Sequence, residues 1–341
     1  MAVYSSKKPE EVYGKLFSDV KGKRVIIKPN LVTDLPANSG VTTDLRLVSK
    51  LIKFLKGRGA KVIVAESGLA HTDSIIKKLK PSFKVVNLDN CDRVPVKSLT
   101  GLILKEFRLP KIVVEADLII SFAKMKTHAL TTVTLSIKNL FGLLCQGERK
   151  KSHVQGLNES IVDLFSALPK VVGLVDGLIA LDGKFGPVSG SPRKVGLVIG
   201  STDPLACDSY CAKLMGANPN KITHMRLCAK NCLGSFDDTD VKGLSFDLPP
   251  FFMPLASKLL ERYRRRKPYL MSPDNCVKCL ECVNNCPVKA ISKSIEFDYN
   301  KCIGCMVCVE SCKHKALGYK LSLPTRVIHY LFKTFFKRRR K

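Results

Sequence analysis

Near the end of this 341-residue chain one cysteine spacing is written twice, as CVKCLECVNNCPVKA from Cys276 and CIGCMVCVESCKHKA from Cys302. Each copy has the form C-x2-C-x2-C, followed by a fourth cysteine after three more residues. Three thiolates so spaced wrap one small inorganic core, and the fourth lies too far along the chain to close the same site. Zinc would call for two cysteine pairs or a Cys/His mixture at other spacings. Disulfides would need an oxidising compartment.

Over residues 271–318 the segment resembles the bacterial-type two-cluster ferredoxins. The resemblance implies an electron-transfer module with two 4Fe-4S clusters, in which each fourth cysteine reaches across to the other cluster. Cys276, Cys279, Cys282 and Cys312 would hold the first, and Cys302, Cys305, Cys308 and Cys286 the second. Pro287 follows the fourth cysteine of the first copy, whereas Lys313 stands at the matching place in the second, beside a different backbone setting.

Something upstream must use such a module, and residues 1–247 read as alternating helix and strand. KRVIIKPN, KVIVAES, KIVVEADLIISF, VVGLVDG and KVGLVIG are apolar runs of strand type. TTDLRLVSKLIKFLKGRGA places Leu47, Val48, Leu51, Ile52 and Leu55 on one helical face, with Thr43 as N-cap and Gly57 or Gly59 as stop. Asp203-Pro204 opens a further helix that Gly216 closes. Near-continuous apolar strands predict an α/β fold with a mostly parallel or mixed sheet covered by helices, followed by the small ferredoxin-type domain. The expected boundaries are an α/β domain at 1–247, a basic-aromatic linker at 248–270, the ferredoxin domain at 271–320 and a basic amphipathic tail at 321–341.

Five polar clusters stand where these strands end: Lys28-Pro29-Asn30, Glu66-Ser67-Gly68, Lys124 to His128, Asp176-Gly177 and Ser201-Thr202-Asp203. In open α/β sheets the ligand crevice lies outside the carboxyl ends of the strands. Lys124, Lys126 and His128 alternate and so share one side of an extended chain, and Lys138 follows downstream. Lysines gathered near a histidine depress one another's pKa values and bind carboxylates or phosphates. Lys124, Lys126, His128 and Lys138 are therefore the candidate catalytic residues, with Glu66 and Asp203 in support. The competing readings are caps, turns and a solvated basic face. Cys207, Cys211, Cys228 and Cys232 repeat a four-residue spacing and read as buried small hydrophobes rather than a third metal site.

IIKPNLV, TTDLRLV, KMKTH with SIKNLFGLL, GERKKSH, VDGLIALDGKFGPVSG and STDPLACDSYCAKLMGA together resemble the family called domain of unknown function 362, in order through most of residues 24–235. Members of that family often carry a ferredoxin domain, so the resemblance implies the fusion but no particular reaction. More remotely, the lysine-and-histidine region is similar to lactate racemase-like proteins, without a residue-by-residue match.

Two functions stay open. One is an iron–sulfur oxidoreductase that passes electrons to a small-molecule substrate bound at the α/β domain. The other is a non-catalytic electron carrier or docking protein. A redox partner or electron-donor protein is expected in either case.

The net charge of +28 needs an acidic partner or surface. KLLERYRRRK (258–267) and the tail 321–341 hold +12 of it. In TRVIHYLFKTFFKRRRK, Val327, Ile328, Leu331, Phe332, Phe335 and Phe336 fall on one half of a helix, while Arg326, His329, Lys333 and Lys337 fall mainly on the other. PPFFMPLASKLLERYRRRK (249–267) repeats the theme. That pattern predicts a helix lying on an anionic membrane surface, the alternative being that both apolar faces pack on the protein. The basic segments lack any recognised nucleic-acid-reading module. With no apolar leader and no run long enough to span a bilayer, the expected location is the cytoplasm, peripheral on the inner face of the membrane.

Overall fold

The computed structural model describes residues 2–68, 72–184, 186–250, 266–284, 286, 288–302, 308–309, 312, 314 and 316–321. The chain divides into two compact units, Met1–Cys145 with Gly156–Met253, and Gln146–Gln155 with Pro254–Lys341.

The first unit opens with β1 (Tyr4–Ser6), α1 (Pro9–Leu16), β2 (Arg24–Pro29), α2 (Leu45–Gly57) and β3 (Lys61–Glu66). Then come α3 (Thr72–Leu79), β4 (Val85–Asn87), a separate ribbon of β5 (Arg93–Lys97) and β6 (Glu106–Pro110), and the one-turn α4 (Lys111–Val114). The central strand β7 (Leu118–His128) leads to β8 (Thr132–Thr134) and a short helix α5 (Ser136–Asn139). After α6 (Gln146–Gln155), which falls in the second unit, come α7 (Leu157–Ser166), β9 (Val171–Asp182), β10 (Ser191–Ser201), α8 (Pro204–Leu214) and α9 (Thr223–Lys230).

These strands form a mixed eight-stranded sheet in the order β1-β10-β9-β7-β2-β3-β4, with β8 paired to β7. β9, β7, β2, β3 and β4 are parallel neighbours, whereas β10, β1 and β8 run antiparallel to theirs. The strand alternation sorts the core into two layers. Val25, Ile27, Ile120, Phe122, Val172 and Leu174 pack with α1 and α2 through Tyr13, Leu47 and Leu51. Ile26, Ile119, Ala123, Met125 and Val175 pack with residues of α5, α7, α8 and α9. The sheet is therefore covered by helices on both faces, as the apolar strands required.

Two local expectations are corrected. KIVV (111–114) is a helical turn, not the start of the third strand, and that strand begins at Leu118 and runs on through KMKTH. The N-cap of α2 is Asp44, which accepts from Arg46 N, while Thr43 Oγ1 instead accepts from Asn30 N and donates to the Phe122 carbonyl.

The second unit pairs β11 (Arg266–Leu270) antiparallel with β12 (Leu317–Leu321), and between them lies α10 (Glu281–Asn284). A further antiparallel bridge joins Ile291 to Phe297. Its small core gathers Ala290, Ile291, Ile295 and Leu317 around Cys282, Cys286 and Cys308. Residues 322–341 of the amphipathic tail and residues 251–265 of the basic-aromatic segment lie outside the described residues. Among the described residues no helix is long and apolar enough to cross a membrane.

Candidate functional site: a cysteine cage and a buried lysine edge

In the second unit, one cavity is lined by Cys276, Cys279, Cys282 and Cys312, together with Ile295, His314, Ala316 and Leu317. Three of these thiols come from one motif and the fourth from the other. The CVKCLEC loop bends around the cavity because Lys278 (φ 51°) and Leu280 (φ 59°) both adopt the left-handed conformation. Among the described residues, no three His, Cys, Asp or Glu groups converge tightly enough to hold a single metal ion. Four thiols spread around an apolar hollow suit a wider inorganic core, so the donor set fits a 4Fe-4S cluster.

Cys286 and Cys312 occupy matching places in the two motifs. Cys286 Sγ accepts from Ala290 N (3.2 Å), and Cys312 Sγ accepts from Ala316 N (3.3 Å). Each of these N–H groups thus fixes the position of a sulfur suited to bind iron. Cys302 is half-buried and Cys308 buried, while Cys305 lies outside the described residues.

The first unit brings the predicted lysines together at the carboxyl ends of β2, β3 and β7, and none of the three nearest the sheet is a solvated side chain. Lys28, Lys124 and Lys126 are 2%, 0% and 1% exposed. Lys28 Nζ pairs with Glu66 Oε1 at 2.6 Å, and Lys124 Nζ with Asp176 Oδ2 at 2.8 Å. Removing one member of such a pair leaves an uncompensated buried charge and costs roughly 3–5 kcal/mol. Gly142 makes room for the first pair, since a Cβ there would stand 2.9 Å from Lys28 Cε.

Lys126 differs. Its Nζ donates to Asn30 Oδ1 (2.9 Å) and to the Val41 carbonyl (3.0 Å), and among the described residues it has no carboxylate partner. Burial, then the charges of Lys138, Lys124 and Lys28, push its pKa down to about 7, with Glu66 opposing.

A chain of amides fixes this geometry. Asn30 Nδ2 donates to Asn139 Oδ1, and Asn139 Nδ2 donates to the Lys28 carbonyl and to Ser121 Oγ. Asn30 must therefore turn its oxygen, not its nitrogen, toward Lys126. Ser121 Oγ in turn donates to the Ser136 carbonyl, at the start of α5. That short helix is capped from α8, because Asp208 accepts from Ser136 N, Ser136 Oγ and Ile137 N. Burial outweighs these donors and pushes the Asp208 carboxyl up to about 7.

The remaining candidates divide. Glu66 joins the edge, accepting also from Leu31 N and Ser67 N. Lys138 is half-buried, with its Nζ 4.5 Å from the centre of the Phe141 ring. His128 Nδ1 accepts from Leu130 N and Thr131 N, so the ring organises the β7–β8 turn and a neutral ring carries its proton on Nε2. Asp203 is a helix cap, accepting from Leu205 N, Ala206 N and Ser235 N, and is not among these edge contacts. Cys207, Cys211 and Cys228 are buried core residues, and Cys232 is exposed.

The comparisons with known proteins follow this division. The family described as Domain of unknown function (DUF362) matches residues 25–213, and 4Fe-4S binding domains match residues 269–292 and 294–317. A "thylakoid-associated protein" of Synechocystis sp. is 27% identical over 224 residues, which are 60% of this chain and 66% of that protein. The lactate racemase apoprotein of Thermoanaerobacterium thermosaccharolyticum is 15% identical with a TM-score of 0.41, covering 62% of this chain and 56% of its own. A Thermotoga maritima protein of known structure is 16% identical with a TM-score of 0.35, covering 57% and 55%. The chain thus spans about two thirds of the first relative and little more than half of the solved ones. With more than half of its length matched, the chain belongs to the DUF362 family, joined here to a 4Fe-4S binding segment with an electron-transfer role.

Proposed function

We propose that this protein is an iron–sulfur reductase whose α/β unit holds a substrate bearing an anionic group at the Lys126 edge. Two 4Fe-4S clusters, held by Cys276, Cys279, Cys282 and Cys312 and by Cys302, Cys305, Cys308 and Cys286, would supply single electrons. The observation that carries the reading is the contrast among the buried lysines. Lys28 and Lys124 are neutralised by Glu66 and Asp176, whereas Lys126 is not. An unneutralised amine at the carboxyl ends of parallel strands is suited to receive an anionic group or to give up a proton near neutral pH. A carrier has no use for such a costly arrangement.

The test is anaerobic. Cluster-loaded protein is reduced, freed of reductant and mixed with a panel of carboxylate and phosphate compounds while the visible absorbance is followed. Reoxidation by one compound in the wild type, lost in Lys126→Met with the absorbance of both clusters intact, supports the reading. Equal reoxidation in the variant would leave the carrier function in its place.

The basic amphipathic segments support a second feature, attachment to an anionic membrane surface on its cytoplasmic side. Two weak anchors on one chain would reinforce each other, and the Synechocystis relative bears a membrane-related name. Co-sedimentation with anionic liposomes should fall with salt and on deleting residues 325–341. Full-length protein that stays in the supernatant at low salt would point instead to an acidic redox partner.

A further inference from the structure

We propose that Lys126 is a nucleophile that forms a reversible imine with a carbonyl compound carrying an anionic group, as a 2-oxo acid does. The hydrogen-bond inventory around its amine carries the inference. A neutral primary amine has two N–H donors and one lone pair. Lys126 Nζ makes two donations, to Asn30 Oδ1 and the Val41 carbonyl, so the lone pair is what remains. Neither acceptor is free to turn away, because one is main chain and the other is held by Asn139. Burial and the three neighbouring lysines favour the neutral amine, and the Glu66 carboxylate opposes them. A lysine desolvated beside other cations is the setting in which this side chain acts as a nucleophile.

A second observation points to a ligand. Thr134 lies opposite Lys126 in the β7–β8 ladder, and Thr42 follows Val41 in the chain. Both hydroxyls are buried, and neither makes a hydrogen bond among the described residues. Buried hydroxyls without partners cost free energy, and here one stands across the ladder from Lys126 while the other follows the residue whose carbonyl Lys126 donates to. Lys138, half-buried, adds positive charge to the same site, which suits an anionic substituent on the carbonyl compound.

The chemistry balances without electrons. The Nζ lone pair attacks the carbonyl carbon, the C–N bond forms, and the oxygen takes a proton to give a carbinolamine. The nitrogen then loses its proton, the C–O bond breaks, water leaves and the C=N bond remains. A hydroxyl such as that of Thr134 is suited to pass a proton between nitrogen and oxygen. Hydrolysis reverses every step. The linkage is redox-neutral and uses the site of the preceding reading but not its electron transfer.

The experiment uses the full chain, loaded with clusters and kept anaerobic near neutral pH. Glyoxylate is added as the probe with cyanoborohydride, which traps imines as stable secondary amines, and peptide mass mapping locates the modified lysines. Lys126 should be labelled at least about tenfold faster than the surface lysines, which are almost wholly protonated at that pH. The advantage should shrink as the pH rises toward 10 and the surface amines lose their protons. The wild-type pattern is itself the readout, so the test does not hang on a variant that folds. Lys126→Arg should remove the fast site, and Thr134→Val should slow it several-fold. Labelling of Lys126 no faster than the surface lysines, or a fast site that survives in Lys126→Arg, would overturn the proposal. Fast labelling without any cluster reoxidation would keep the imine and discard the reductase.

Discussion

Replacing Lys126 by Met should change how stability depends on pH, not merely lower it. In the folded chain the amine titrates near 7, while in the unfolded chain it returns to its ordinary value of 10.5. Between those values the unfolded state binds more protons, so the wild type gains stability as pH rises, by up to roughly 1.4 kcal/mol per pH unit. Below about pH 7 both states hold the proton and the full cost of burying the cation is present. From pH 7 to pH 9 the integrated gain is about 2 kcal/mol. Lys126→Met lacks this slope. The Asn30 and Val41 oxygens it leaves unpaired add a penalty of about 1–3 kcal/mol each, but that penalty does not vary with pH. Other titrating groups are common to both proteins, so the difference between them isolates Lys126. Urea unfolding followed by far-UV circular dichroism at several pH values measures it. Parallel stability curves from pH 7 to 9 would mean that the amine titrates alike in both states and would refute the assignment of a neutral lysine.

Three further outcomes are expected. Cys286→Ala should reduce the iron bound by the chain by about half, and the loss should fall on the cluster held by the second motif, as iron analysis with electron paramagnetic resonance would show. His224 is buried, with Nε2 unpartnered among the described residues, and burial holds its pKa down at about 3. The neutral ring therefore contributes stability that is lost as pH falls below about 6.5, and His224→Leu should gain about 2 kcal/mol on the wild type between pH 8 and pH 5. Asp163 accepts from the backbone N–H groups of Leu102, Ile103 and Leu104 and from the hydroxyls of Ser98 and Thr100. Asp163→Ala should cost about 3 kcal/mol or more and speed amide exchange through residues 98–104.

The parts of the fold that were legible share one property, a local pattern with one physical reading. Val25 to Ile27 and Val62 to Ala65 are short apolar runs, and Asp203-Pro204 is a helix start whatever surrounds it. KIVV failed for the same reason that short apolar runs often do, because periodicity cannot tell a buried strand from a helical turn. There the preceding Pro110 and the turn at Glu115 decided the matter. Lys28-Pro29 and Glu66 could be picked out as strand ends, but Asp176 lies inside β9, Ser201 ends a strand antiparallel to it, and the pairing of these groups could not be read. That Lys28 would take Glu66, Lys124 would take Asp176 and Lys126 would be left to amides depends on partners 38, 52 and 96 positions apart. Asp208 was missed altogether, because on its own helix it reads as one more polar residue, and its task lies 72 positions upstream at Ser136.

The placement of α6 has a consequence for taking the protein apart. Gln146–Gln155 falls in the second compact unit although the residues on either side of it belong to the first. The polypeptide thus passes between the units three times, after Cys145, before Gly156 and after Met253. Neither unit is a continuous stretch of chain, so no single cut yields both whole. A fragment that begins after Met253 would lack a helix of its own unit, and one that ends there would carry that helix without the rest of the body it packs in. Gene fragments that separate the cysteine motifs from the sheet should therefore give poorer proteins than the whole chain.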